Sequence, residues 1–179
     1  MNKSIAVLLV VSLSVLGKAQ AQKTTLQYTD TFNVYTLSYP SDFQIARPNT
    51  SITFFVGPLT SADDKYQEKI KIELNSIPEN ITVDSLAPVL LQKIKGSLKG
   101  GIAVGEINEP VELSGQKGRK VSVDGIMVGE TELVTVAIKV FIVKKILVMI
   151  LTVEPRMDEV IAFGKKRPIQ EIVESIKFK

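Results

Sequence analysis

Between Leu133 and Val153 the chain is apolar almost throughout and carries charge only at Lys139, Lys144 and Lys145. The run is long enough to cross a bilayer, which takes roughly 20 residues as a helix. Each lysine near the centre of such a helix would cost about 2.5–3.5 kcal/mol, however, and β-branched residues are frequent here. The run therefore predicts two buried strands, a central antiparallel hairpin turning at Lys144–Lys145 with both faces covered. Adjacent lysines predict a short type I turn there, because a tight primed turn favours Gly or Asn.

The rest of the fold has to cover that hairpin. Upstream, Asn33–Tyr39 alternates as a half-buried strand, Pro40 and Asp42 make a turn, and Ser51–Val56 and Gln67–Ile77 are further strands. Residues 22–31 read as a flexible N-terminal arm or an edge strand, and Gly57–Lys65 as a polar loop. The clearest helix runs from Thr82, a good N-cap, to Gly100–Gly101, with Asp84 at its positive end and Ser85 as the alternative cap. Leu86, Leu90, Ile94 and Leu98 form its apolar stripe, and Pro88 belongs near its start. Strands are expected at Ile102–Asn108, Val111–Leu113, Arg119–Val128 (with a bulge at Gly125), Glu130–Val143 and Ile146–Val153. A short helix over Asp158–Phe163, a basic loop Gly164–Arg167, an amphipathic helix Pro168–Ser175 and a packed tail Ile176–Phe178 close the chain. Runs of neighbouring strands with few helices predict α+β, an antiparallel sheet covered by helices.

Residues 1–21 have the form of a secretory signal peptide: Lys3, an apolar run Ile5–Leu16 and the small-residue pattern Ala19-Gln-Ala21. Cleavage is expected between Ala21 and Gln22, giving a periplasmic or secreted protein with no transmembrane segment. Removing 21 residues from 179 leaves 158, one domain with a 22–31 arm and a 32–179 body. Lys3 and Lys18 leave with the leader, so 22 basic residues against 19 acidic become 20 against 19, and the net charge falls from +3 to +1. Such a balance does not support nucleic acid as a partner. The chain contains no His, no Cys and no Trp. It thus lacks the imidazole base of a Ser-His-Asp triad, a thiol nucleophile, His- or Cys-ligated metal and disulfides, and no cofactor is expected. Lack of Cys also excludes the lipid attachment of bacterial lipoproteins.

Several of these features together resemble one family. Tyr35-Thr-Leu-Ser-Tyr39-Pro40-Ser-Asp-Phe43 is a strand running into an aromatic-Pro turn; the capped helix Thr82–Gly101 follows. Leu113-Ser-Gly115-Gln-Lys-Gly118-Arg-Lys-Val leads into the long strand pair, and Ile172-Val-Glu-Ser-Ile-Lys-Phe178 closes the chain. This resembles the PsbP/Mog-like superfamily of α/β/α sandwiches, over Phe32 to Phe178, including exported PsbP-related and DcrB-like bacterial proteins. Phe43 departs from the Trp often found after the Pro turn. The resemblance implies a non-catalytic binding or scaffold module and carries over no functional residues.

Candidate sites are few. Asp63, Asp64 and Glu68 lie in one acidic loop that could offer oxygen ligands to a hard cation, although its spacing is not an EF-hand and a solvated loop is the plainer reading. Lys93, Lys95 and Lys99 on the helix, and Lys165, Lys166 and Arg167 in the basic loop, could meet an acidic partner or simply face solvent. Glu106, Glu109 and Glu112 could supply an acid–base pair. The expected function is an exported, non-enzymatic module acting on another envelope or secreted protein. The alternatives are a carrier of a small apolar ligand, which needs a cavity near Leu133–Val153, and a carboxylate-dependent hydrolase, which needs converging acids.

Overall fold

A computed structural model describes residues 24–58, 68–131, 133–155 and 168–179. The leader and its cleavage site, Asp63 and Asp64, the helix expected at Asp158–Phe163, and Lys165, Lys166 and Arg167 lie outside the described residues. Among the described residues ten strands and two α-helices occur in the order β1 (Thr25–Thr29), β2 (Tyr35–Pro40), β3 (Gln44–Asn49), β4 (Ile52–Val56), β5 (Lys69–Ser76), α1 (Val83–Lys95), β6 (Gly105–Leu113), β7 (Gln116–Ile126), β8 (Leu133–Val143), β9 (Ile146–Pro155), α2 (Pro168–Glu174) and β10 (Lys177–Phe178). A seven-stranded antiparallel sheet has the order β3-β4-β5-β9-β8-β7-β6, and a small sheet has the order β1-β2-β10.

The hairpin β8–β9 sits at the centre of the large sheet, with Val143 opposite Ile146 across a two-residue turn. Both turn residues are left-handed, Lys144 at φ 49° and Lys145 at φ 68°. The expected type I turn is therefore corrected to a primed turn: its twist matches that of the strands, and a two-residue connection leaves no other close fit. Ser114 (φ 52°) and Gly115 (φ 76°) repeat this geometry between β6 and β7.

Alternation along β8 divides the core. Val134, Val136, Ile138 and Val140 face α1, which brings Ala87, Leu90 and Ile94 down onto β7 and β8. Phe141 and Val143 face the opposite way, into a core shared with Tyr35, Phe55, Ile70 and Ile172 from the small sheet, β4, β5 and α2. The layers are thus α1, the large sheet, and then α2 with the small sheet. Near its turn the hairpin is covered on both faces; further along, Thr135, Ala137 and Lys139 are only half-buried.

Thr82 caps α1 by accepting the Ser85 N–H at 3.1 Å, while the Ser85 hydroxyl accepts the Thr82 N–H at 3.2 Å, so both proposed caps act together. Pro88 lies inside the helix but on its exposed side, where the carbonyl it leaves unpaired can meet water. The helix stops at Gly96 and not at Gly100–Gly101, which form a separate 3₁₀ turn with Leu98 plugged into the core.

Other expectations are corrected. Of the two readings of residues 22–31, flexible arm and edge strand, the second holds over Thr25–Thr29: β1 pairs with β2 at the edge of the small sheet, Leu26 opposite Tyr39, and buries Tyr28 against the Phe55 ring at 5.3 Å. The strand β3 (QIARPN) is almost wholly exposed and too polar to announce itself. Strands expected separately at Ile102–Asn108 and Val111–Leu113 are one strand, β6, running through Pro110. Gly125 makes no bulge, since its ladder with Val134 is continuous; instead a Cβ there would lie 2.6 Å from Leu98 Cδ1. The tail Ile176–Phe178 forms β10 at Lys177–Phe178, and just before it the Ser175 hydroxyl accepts the Ser38 N–H at 2.8 Å and reaches the Ser38 carbonyl at 3.0 Å.

Candidate functional site

The half-buried end of the hairpin opens into a groove of about 390 Å³ between the large sheet and α2. Its floor is built from Glu109 and Val111 of β6, Lys120 of β7, Thr135, Ala137 and Lys139 of β8, and Ile150, Thr152 and Glu154 of β9. Ile169, Gln170, Val173 and Glu174 of α2 form a wall. Among the described residues α2 (Pro168–Glu174) packs beside β2 and covers only part of this face. Small side chains at Thr135 and Ala137 deepen the groove.

Register brings charges together that are far apart in sequence. Glu109 lies opposite Lys120, and Lys120 opposite Lys139, in one row across β6, β7 and β8. Lys120 Nζ donates to Glu109 Oε1 at 3.1 Å. Among the described residues Lys139 forms no salt bridge. Burial pushes the Lys139 ammonium below the usual lysine range and Lys120 adds to this, while Glu174, Glu154 and Glu109 pull the other way without cancelling it. Beside this row the Thr135 hydroxyl donates to Asp124 at 2.7 Å, and Ser122 is buried.

The other face carries a second, more apolar groove of about 220 Å³, where α1 leaves β5 and β9 uncovered. Leu90, Ile94, Met127, Met149, Leu151 and Val153 line it. At its rim Lys71 pairs with Glu73 at 2.5 Å. Burial raises the Glu73 carboxyl, but hydrogen bonds from Lys71 and Asn75, with the charges of Lys71 and Lys93, hold it below the usual range overall.

The residues singled out from sequence are mostly dispersed. Glu106, Glu109 and Glu112 do not converge: a spacing of three in an extended strand alternates faces, so Glu109 enters the groove while Glu106 and Glu112 point to the α1 side. Glu106 pairs with Lys95, and Glu112 lies opposite Lys117. Glu154 and Glu174 do border the groove with Glu109. Lys93, Lys95 and Lys99 do not form one basic face, since Lys93 borders the apolar groove, Lys95 is engaged by Glu106 and Lys99 lies in the 3₁₀ turn. Glu68 lies just before β5, its carbonyl accepting the Gly57 N–H at 2.8 Å.

Two features escaped sequence reading. Lys139 entered only as an obstacle to a membrane helix, and Lys120 only as a member of a strand and of the motif after Gly118, neither as a site residue. Asp30, 5% exposed, holds the β1–β2 connection by accepting the N–H groups of Phe32 (2.9 Å), Val34 (2.6 Å) and Tyr35 (2.7 Å). The sequence signal for it is Asp30-Thr-Phe-Asn33, an Asx turn with Asn33 in the left-handed region at φ 56°.

No family model matches this chain, and no curated protein matches it in sequence. Solved structures do match in shape. Cyanobacterial PsbP (CyanoP) from Synechocystis sp. PCC 6803 superposes with a TM-score of 0.60 at 13% identity, covering 90% of this chain and 96% of its own. LpqN, involved in cell envelope biogenesis of Mycobacterium tuberculosis, gives 0.58 at 15% identity over 87% and 91%. A variant of Mog1 gives 0.52 at 11% identity over 87% and 96%. The chain also covers 48% of a longer protein from Bacteroides thetaiotaomicron, with a TM-score of 0.53 at 12% identity. The fold is therefore PsbP/Mog-like, as the resemblance carried by the aromatic-Pro turn and closing helix implied. At these identities the likeness concerns architecture alone. Among the described residues no helix is long and apolar enough to cross a membrane.

Proposed function

We propose that this protein is an exported, non-catalytic binding module that acts on another envelope or secreted protein through the groove between β6–β9 and α2. The observation that carries the reading is the row Glu109–Lys120–Lys139 on the floor of that groove, charged groups held by a rigid ladder and facing a concave surface. Both outer strands of the large sheet discourage the other common mode, addition of a partner strand. In β6, Leu113 and Gln116 flank a two-residue turn as a hydrogen-bonded pair, so alternation leaves the Pro110 nitrogen facing outward without a donor. In β3, Pro48 lies within an irregularity of the ladder between Ala46 and Asn49. An envelope partner accords with the leader-like residues 1–21 and with a fold shared with LpqN.

The test is a tagged pull-down from the intact native host after mild cross-linking, comparing the parent chain with Ala137→Phe, which fills the groove. One envelope protein captured reproducibly by the parent and lost with the variant is the expected result. Equal capture by both, or none by either, overturns the reading. The apolar groove beside α1 favours a second reading, carriage of a small apolar ligand. Solvent extraction of protein purified from its host, followed by mass spectrometry, should then release one bound apolar compound; an extract free of any removes that reading.

A further inference from the structure

Lys120 and Lys139 stand directly opposite each other on adjoining strands, an arrangement of like charges that destabilises a sheet. Glu109 answers Lys120 at 3.1 Å, but among the described residues no carboxylate forms a salt bridge with Lys139. Any side chain suited to a strand could occupy position 139 without that cost. We infer that the groove recognises a carboxylate on an aliphatic body, with the anion seated at Lys139 and Lys120.

The surroundings select this chemistry. Ala137, Ile150, Ile169 and Val173 line the space beside the lysines, and the described lining contains no aromatic ring on which a base or a sugar could stack. A volume of about 390 Å³ lies at the lower end of small-molecule sites, which run from roughly 300 to 1,000 Å³. A free organic acid and the C-terminus of a peptide both supply an aliphatic carboxylate. The inference rests on the groove being a binding surface, as proposed above.

The test uses the full exported protein with lysine side chains labelled by ¹³C, titrated by NMR with hexanoate, hexan-1-ol, inorganic phosphate and an N-acetylated Ala-Leu-Ala-Val peptide in its acid and amide forms. Hexanoate or the acid peptide should shift the Lys139 and Lys120 signals saturably, with hexanol and the amide peptide silent. Lys139→Met should weaken that binding about tenfold or more, and Lys139→Arg should restore most of it, since an exchanged partner for a charge-assisted hydrogen bond is worth roughly 1.5–3 kcal/mol. Tighter binding of the acid peptide identifies a chain terminus as the source, and tighter binding of hexanoate a free acid. No saturable shift with either acid, unchanged affinity in Lys139→Met, or tighter binding of phosphate overturns the inference. A partner captured in the pull-down without carboxylate binding leaves the protein-binding reading standing and removes this one; carboxylate binding without a captured partner does the reverse.

Discussion

Lys139 is half-buried, faces Lys120 across the ladder and has an ammonium held below the usual lysine range, so the folded protein bears a cost for its charge. Replacing it with Met keeps an unbranched stem one atom shorter, removes the charge and adds apolar contact with Ile150, its partner on β9. A like-charged pair directly opposite in a sheet costs roughly 0.2–1 kcal/mol, and the desolvation of the ammonium adds to it. Lys139→Met should therefore stabilise the protein by about 1 kcal/mol at pH 7, a rise in Tm of about 3 °C for a domain of this size. The sign of the pH dependence follows from linkage. Because the folded-state pKa is depressed, the unfolded chain binds more protons in the window between that pKa and the unfolded value of about 10.4. The cost is complete below the folded pKa and fades as pH rises through the window. Thermal melts of both proteins at pH 7, 9 and 10.5 should show a gap that narrows toward the highest pH. A variant less stable than the parent at pH 7, or a gap independent of pH, would refute the account of a strained lysine.

Four further outcomes follow from the packing. A Cβ on Gly118 would overlap the Val140 carbonyl oxygen and the Phe141 ring, whereas one on Gly125 meets the ends of the buried Leu98 side chain and, at 3.1 Å, the Ile102 carbonyl oxygen; urea denaturation should show Gly118→Ala costing about 3 kcal/mol and Gly125→Ala about 2 kcal/mol. Asp30→Ala leaves the N–H groups of Phe32, Val34 and Tyr35 without their acceptor and should cost about 3 kcal/mol in the same assay, with Asp30→Asn losing less. Pro110→Thr restores an outward donor to the middle of β6, so light scattering after size exclusion should show a shift toward larger species than the parent forms. Lys144→Asn combined with Lys145→Gly suits the left-handed turn better and should raise stability by about 1 kcal/mol, despite loss of the exposed Lys145–Glu79 pair.

Much of the architecture was legible because it depends on local patterns. The pair Lys144–Lys145 separates the apolar run into β8 and β9, and the every-fourth-residue stripe Leu86–Leu90–Ile94 with Thr82 before it identifies α1. The succession of strands with few helices points to an antiparallel α+β sandwich. The alternation rule could also have separated Glu109 from Glu106 and Glu112, since three positions along a strand is an odd step. What stayed hidden is whatever depends on a neighbour. The exposed residues of β3 become a strand only through their ladder to β4, and the β8–β9 turn takes its hand from the twist of the strands it joins.

The groove belongs wholly to that second category. Period-two alternation says which residues of one strand share a face, but it leaves open which strands adjoin and in what register. Lys120 and Lys139 meet only because β7 pairs with β8 at that one register, and among the described residues they line a groove beside α2, which docks on β2. The energetic character of Lys139 depends further on the water excluded around it. The sequence by itself determined most of the strands, the main helix and the absence of thiol and imidazole chemistry, because each is set by side chains and their near neighbours. The tertiary structure alone decided the site, because burial and charge proximity arise between elements that are distant along the chain.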